Sequence, residues 1–411
     1  MPFYPESALD GLREHTSEIR EFARDESDTV AKYQDALRDA LKDYEADPLQ
    51  AELGPGRYPG ALPTREWNDN GAPVVPFERS ASWDNHEAVN EYAKDVLEGV
   101  TTIAADGSEL GPTSEFTVPL GLVQVAWMAN HHHEDGNYDE GVNTRVLGPR
   151  AVTTASDSED GLRYPDGQAP GHERYRDEGK TVIECIERFA ELNPPPVVLY
   201  DGPLVPTFAN TYAPDVRDGH YRRTMARVLA ASEHHGVPVV GYSAGSTRTN
   251  IAKLLRRTYR DRLHNEPFVA DSRILDAFTT NWGDRSQLFI HRQDGTVDAM
   301  EASYRGATHE FATDVLFTYL DIPDGNAMDY LEFPGWILRE GLVDDVIDVV
   351  RAETGVGRGY PEVLQQADAN AVLNTDAERR FLALVQNFAE EEEGLPIEWD
   401  AKTLSKQRRR R

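Results

Sequence analysis

Two short stretches limit what this chain can become. Thr101–Ser108 reads TTIAADGS, and the segment from Pro196 to Leu204 continues as VVLYDGPL; each is a run of β-branched and small apolar residues that ends in Asp-Gly. Such a run reads as a buried strand, and an acid at its C-terminal end lies where open α/β sheets collect their ligands. Asp-Gly is equally a tight-turn signal. The turn reading weakens for the two together, because VVLYDGPL is followed by a long Tyr-, Arg- and Ala-rich segment rather than by a partner strand. Asp106 and Asp201 on neighbouring strand ends are the means by which a protein builds a divalent-metal site.

The rest of the chain supplies an α/β frame for these strands. Apolar residues at helical spacing (Leu9, Leu12, Ile19, Phe22, then Val30, Tyr33, Leu37, Leu41, Tyr44) predict two N-terminal helices broken near Asp25–Asp28. The Pro- and Gly-rich stretch 48–80 reads as a loop, and a short helix over His86–Glu98 leads into the first strand. Glu115–Ala129 and Thr144–Thr154 read as β, flanking NHHHEDGNYDEG. Tyr175–Leu192 reads as a helix with Val182, Ile183, Ile186, Phe189 and Ala190 on one face. Of its acids, Glu178 lies at the edge of that face, Glu187 further out and Glu184 almost opposite, so Glu178 is best placed to reach a sheet edge. Strand Val197–Tyr200, helix Arg217–His235 and strand Val237–Tyr242 then alternate as a parallel α/β core does. Further strands are expected at Gln287–His291, Phe317–Asp321 and Tyr330–Phe333, and helices over Pro334–Thr354, after Gly359-Tyr360-Pro361, and over Ala377–Glu391. Proline suits a first helical turn, which leaves Tyr360 just outside the helix and Asp368 two turns on, beside the apolar stripe Leu364, Ala367, Ala371. Residues 1–80 are therefore expected to form a helical arm and linker, 81–375 the main domain, and 376–411 a C-terminal helix and basic tail.

Two other motifs compete for the chemistry. His131, His132 and His133 are adjacent, but side chains in extended backbone alternate faces, so they read as a solvated hairpin loop with its turn at His133–Gly136 rather than as one metal cage. Gly241-Tyr242-Ser243-Ala244-Gly245 fits G-x-S-x-G between a strand and a helix, the setting of a serine-hydrolase nucleophile, with His291 and His309 following. No HGGG-type segment precedes it. The plainer reading makes this a helix N-terminus capped by Ser243 or Ser246, with Arg248 and Lys253 behind it and room for a phosphate.

Charge and cysteine content narrow the partners. The formal net charge is -30 over 411 residues, and only seven of the 42 basic residues are lysines. Acid excess spread along the whole chain looks salt-adapted; at ~1 M salt the Debye length is ~3 Å, so the acidity does not exclude nucleic acid. The single cysteine, Cys185, excludes an intramolecular disulfide and a cysteine-based zinc cage. No signal core or membrane-length apolar run is present, and a cytoplasmic protein without a membrane partner is expected. The end, KTLSKQRRRR, is either a DNA or partner contact or a disordered tail.

The order AADGS, Glu-bearing helix, VVLYDGPL, VVGYS turn and GYP-x-Asp helix resembles the NurA nuclease family, from about Thr101 to Leu373. The resemblance implies an RNase H-like mixed sheet flanked by helices and a site for Mn2+ or Mg2+, two ions in all. It implies DNA-end resection with a hexameric HerA-type ATPase, as a 5′→3′ exonuclease and single-strand endonuclease, acting as a homodimer. By motif it assigns Asp106, Asp201, Tyr360 and a helix glutamate, Glu178 or Glu184, to the site. The family carries a histidine eight positions after that tyrosine; this chain has Asp368, which takes its place as ligand. The implied metal set is Asp106, Glu178, Asp201 and Asp368, with Ser243, Arg248 and Lys253 on the DNA backbone. The rival classes are a serine hydrolase and a non-catalytic scaffold.

Overall fold

The strand that carries Asp106 does not stop at Asp-Gly. Strand β1 (Thr102–Leu110) runs on because β2 (Gly121–Asn130) pairs with it antiparallel along its whole length, from Thr102–Asn130 to Leu110–Leu122. β2 pairs antiparallel in turn with β3 (Tyr138–Leu147). On its other side β1 lies parallel to β4 (Val197–Asp201), and β4 parallel to β5 (Val239–Ser243). The order β3-β2-β1-β4-β5 is a mixed sheet of the RNase H-like kind expected. β4 does end as its Asp-Gly predicts, at Gly202 with φ +125°.

The computed structural model describes residues 5–83, 86–133, 136–155, 163–322, 327–392, 394–395 and 397–398; the basic tail lies outside them. The chain forms two compact units. One comprises Asp84–Tyr242, Asp298–Ala312 and Glu332–Arg411, and the other Met1–Trp83, Ser243–Val297 and Thr313–Leu331.

In the first of these, helices cover both faces of the sheet. Helix α1 (Ala169–Phe189) packs on β1 and β2 through Val182, Ile186 and Phe189. Ala104 and Ala105 of β1 are buried, and their small side chains let the layers approach closely. Helix α2 (Arg223–His235) lies against α1 at Gly179, where a Cβ would come within 2.2 Å of Thr224 Cγ2. On the opposite face lies α4 (Glu362–Ala371), reached through α3 (Val343–Val356). There Gln124 Nε2 donates to the Ala371 carbonyl at 3.1 Å, and the Leu373 N–H to Ser108 Oγ at 3.1 Å. A hairpin of Glu301–Tyr304 and Ala307–Glu310, without a counterpart in the sequence reading, packs on α2.

The other unit corrects two expectations. Its helices are Pro5–Glu14 and Thr16–Asp43, so the break falls at His15 and the helix passes unbroken through Asp25–Asp28. No Gly or Pro interrupts that polar run, and the Thr29 hydroxyl donates to the Asp25 carbonyl at 2.9 Å within the turn. Burial begins only at Thr29 and continues through Val30, Tyr33, Leu37 and Ala40. The stretch 48–80 is not all loop: helix Ala46–Leu53 runs into it, and strand Gly60–Pro63 pairs antiparallel with Phe289–Arg292. Its glycines and prolines punctuate these elements rather than abolish them. Trp67, Phe289, Phe317 and Tyr330 belong to this unit's core.

Candidate active site

The parallel ladder between β1 and β4 ends at the pair Ala105–Tyr200. Asp106 and Asp201 are the next residue on each strand, so the two acids stand where the strands part. The chain delivers three more groups to that opening. Tyr360, just before α4, donates its hydroxyl to Asp201, and its ring stands edge-on to Tyr242 with centroids 5.3 Å apart. Asp368, two turns into α4, shares a side-chain hydrogen bond with Asp106. Glu178 comes from α1 and is only 4% exposed. Asp201 and Asp368 open to solvent, and Asp106 is half-buried.

The electrostatics follow from this crowding. Burial pushes the Asp106 carboxyl up to about 6; the Gly107 N–H opposes that shift, while Asp201 and Asp368 add to it. Burial likewise raises Glu178 to about 7 against the pull of Arg174, with Asp106 and Glu109 raising it further. Asp201 is raised by loss of water, lowered by the Tyr360 hydrogen bond and raised again by Asp368. The Tyr360 hydroxyl is pushed well up, first by burial and then by Asp201. Burial and crowding thus make Asp106, Glu178 and Asp201 resist the charged form.

The donor set is all oxygen, which fits a hard divalent cation. Among the described residues no three His, Cys, Asp or Glu side chains already surround one point at ligand distance. Asp106 lies against Asp368, Asp201 against Tyr360, and Glu178 pairs with Arg174. Asp106, Asp201 and Asp368 at the strand ends, with Glu178 behind β1, are the oxygen donors that would hold the ion.

The structure separates the helix acids that the sequence left open. Glu178 is buried against β1 at Gly107, whereas Glu184 is exposed and pairs with Lys180 at 3.4 Å. Glu187 accepts a 2.6 Å hydrogen bond from the Tyr304 hydroxyl and pairs with Arg305 at 3.0 Å. Sequence reasoning missed Arg174, which pairs with Glu178 and, through Nε, with Glu109 at 2.8 Å. The i,i+4 spacing of Arg174 and Glu178 was the available signal.

His131 and His132 are tied down rather than solvated, while His133 is exposed. Their turn is where expected, with the Gly136 N–H donating to the His133 carbonyl at 2.9 Å. His131 Nδ1 lies 3.0 Å from Thr101 Oγ1, and His132 Nε2 lies 3.0 Å from the buried Glu353 carboxylate and 2.8 Å from Thr102 Oγ1. They anchor the start of β1 to α3.

In the other unit, neither Ser243 nor Ser246 caps the helix that follows. That helix, Asn250–Thr258, starts well beyond Ser243, and its first free N–H groups, those of Ile251 and Ala252, both donate to the buried Asp271 carboxylate at 2.8 Å. An acid already fills the place a phosphate would take, so the helix start is no anion site. It is no nucleophile elbow either, because that needs the serine on the turn that opens directly into the helix. Arg248 lies over the Tyr330 ring at 4.5 Å and donates to Gln293, and Lys253 packs its stem beside Gly60. Of the later histidines, His291 is fully enclosed against Phe317, and His309 pairs with Glu233 at 2.7 Å.

Comparison with known proteins gives one decisive match. The model of the NurA domain matches residues 100–373. No curated protein matches the chain. Among solved structures, NurA bound to dAMP and manganese is 9% identical with a TM-score of 0.37, over 71% of this chain and 88% of that one. NurA with manganese is 11% identical with a TM-score of 0.31, over 74% and 94%. The catalytic domain of human endonuclease V is 12% identical with a TM-score of 0.31, over 75% and 100%. The domain match spans well over half of the 411 residues and takes in Asp106, Glu178, Asp201, Tyr360 and Asp368, so the chain belongs to the NurA family.

Proposed function

We propose that this NurA-family nuclease hydrolyses DNA phosphodiester bonds at the Asp106, Glu178, Asp201 and Asp368 cluster, with Mn2+ or Mg2+ as a pair of ions. The observation that carries this reading is that Asp106 and Asp201 stand side by side where β1 and β4 part, with Asp368 of α4 beside them, inside the stretch the NurA domain matches. Two unit charges ~4 Å apart repel by ~4 kcal/mol at an effective ε of ~20, so gathered carboxylates call for a cation. Divalent ions, when bound, supply an activated water and neutralise the leaving oxygen of the phosphodiester. Asp106, Asp201 and Asp368 present oxygens at the open rim, where a phosphate can enter. Glu178 contributes its carboxylate from the buried side. Tyr360 favours the charged Asp201 carboxylate by presenting its hydroxyl to it.

Labelled DNA incubated with the purified protein in high salt, with Mn2+ and then with EDTA, tests the reading. EDTA-sensitive degradation is expected. Labelling by a fluorophosphonate without nuclease activity would instead support a serine hydrolase, and neither result would leave a scaffold. Ser243→Ala is expected to keep cleavage within about tenfold, since one lost phosphate hydrogen bond costs ~1 kcal/mol; a loss of several orders of magnitude would restore the nucleophile. Any DNA contact by Ser243, Arg248 or Lys253 then comes from their side chains.

The finer reading follows the family resemblance: resection of DNA ends as a 5′→3′ exonuclease and single-strand endonuclease, as a homodimer, with a hexameric HerA-type ATPase in the cytoplasm. Among the described residues no helix is long and apolar enough to cross a membrane. Co-purification from native extract in molar salt checks the partner, and recovery without any ATPase would count against it.

A further inference from the structure

Glu178 approaches the cluster from the opposite face of the sheet to Asp368. Along β1 the side chains alternate: Asp106 and Ser108 face α4, where they meet Asp368 and the Leu373 N–H, while Glu109 faces α1 and pairs with Arg174. Gly107 shares the Glu109 face. A Cβ placed on it would stand 2.6 Å from Glu178 Oε1, 3.1 Å from Glu178 Cγ and 2.8 Å from Arg174 Cγ.

Nothing in the backbone asks for glycine here. Gly107 is not among the residues with positive φ, and it sits mid-strand opposite Val125. In a strand interior, glycine is ordinarily the weaker choice than alanine. The volume that its missing side chain leaves is the volume the Glu178 carboxylate fills.

We propose that Gly107 is a positioning residue, whose missing side chain forms the seat for the Glu178 carboxylate, with Arg174 closing the seat from the helix side. The proposal rests on the reading of Glu178 as a metal-binding acid. Arg174 pairs with Glu178 and Glu109 together, so it holds the carboxylate against β1 rather than leaving it to swing along the helix. Any side chain at 107 drives the Glu178 carboxylate out of its place.

The test compares Gly107→Ala in the wild-type and the Glu178→Ala backgrounds, by Mn2+ titration followed by electron paramagnetic resonance and by metal-free thermal melting of the full chain. In the wild-type background Gly107→Ala is expected to weaken Mn2+ binding about 10- to 100-fold, as removal of a supporting group does, and to lower the melting temperature. In the Glu178→Ala background only the flexible Arg174 stem remains against the seat, so the same change should leave Mn2+ binding level and lower the melting temperature less than in wild type. An unchanged Mn2+ titration together with the same melting shift in both backgrounds would overturn the proposal. Should the single variant fail to fold, recovery of folding in the double variant supports the seat, and failure of both overturns it. A wild type that takes up no Mn2+ would sink the metal-nuclease reading, while the difference in melting shift between the two backgrounds would still decide the seat.

Discussion

Asp106→Asn and Asp201→Asn are each expected to lower DNA cleavage by about two to three orders of magnitude, the scale on which a preorganised electrostatic contact acts, and to leave the fold intact. The stability of the metal-free protein gives the sharper signature. The folded Asp106 carboxyl is raised to about 6, above the ~3.9 of an unfolded aspartate. Its contribution is therefore fully present below pH ~4 and is lost as the pH rises through about 6, because the folded site then has to accept a charge among other acids. The neutral amide of Asp106→Asn never charges. The variant should melt at a higher temperature than wild type at pH 7, by an amount on the order of 1 kcal/mol in stability once solvent screening at this half-buried site is allowed for. The advantage should disappear below pH ~4. Thermal melts in EDTA between pH 4 and 8 read this directly. Saturating Mn2+ should reverse the ranking, since wild type gains a ligand-linked stabilisation that the variant lacks. Loss of cleavage together with gross unfolding would instead mark Asp106 and Asp201 as structural.

How much of this was legible depended on whether the cause of a feature lay close by in sequence. Asp201 was readable because an apolar run ends there and Gly202 supplies the positive φ of the turn. Asp106 was readable as an acid on a buried strand, but not as a residue within one: Ser108, Glu109 and Leu110 carry no strand pattern, and only the ladder to β2 keeps them extended. Helical spacing alone ranked Glu178 ahead of Glu184, and the structure buries the first and leaves the second on the outer face. The cap on Asn250–Thr258 could not be read from its own residues, because it is supplied by Asp271 from beyond the helix. Asp368 had the weakest local signal, an acid on a helix next to an apolar stripe, and came to attention through the family pattern. Its bond to Asp106 is a tertiary fact that no spacing encodes.

Asp368→Ala is expected to cost cleavage by about two orders of magnitude or more and to weaken Mn2+ binding, because it removes the acid that shares a hydrogen bond with Asp106. The replacement of the family histidine by an acid also alters the low-pH side of the rate profile. An unperturbed histidine titrates near ~6.5, so a histidine ligand is lost to protonation below about that pH. An aspartate, near ~3.9 when unperturbed, stays ionised there once it binds a metal. Asp368→His is therefore expected to keep part of the activity and to gain an acid limb near neutrality that wild type lacks. The comparison is made on Mn2+-saturated protein between pH 5 and 8, so that the limb reports the ligand rather than metal occupancy. Full cleavage by Asp368→Ala, with an unchanged Mn2+ titration, would make Asp368 a solvated helix residue that meets Asp106 only in the absence of the ion.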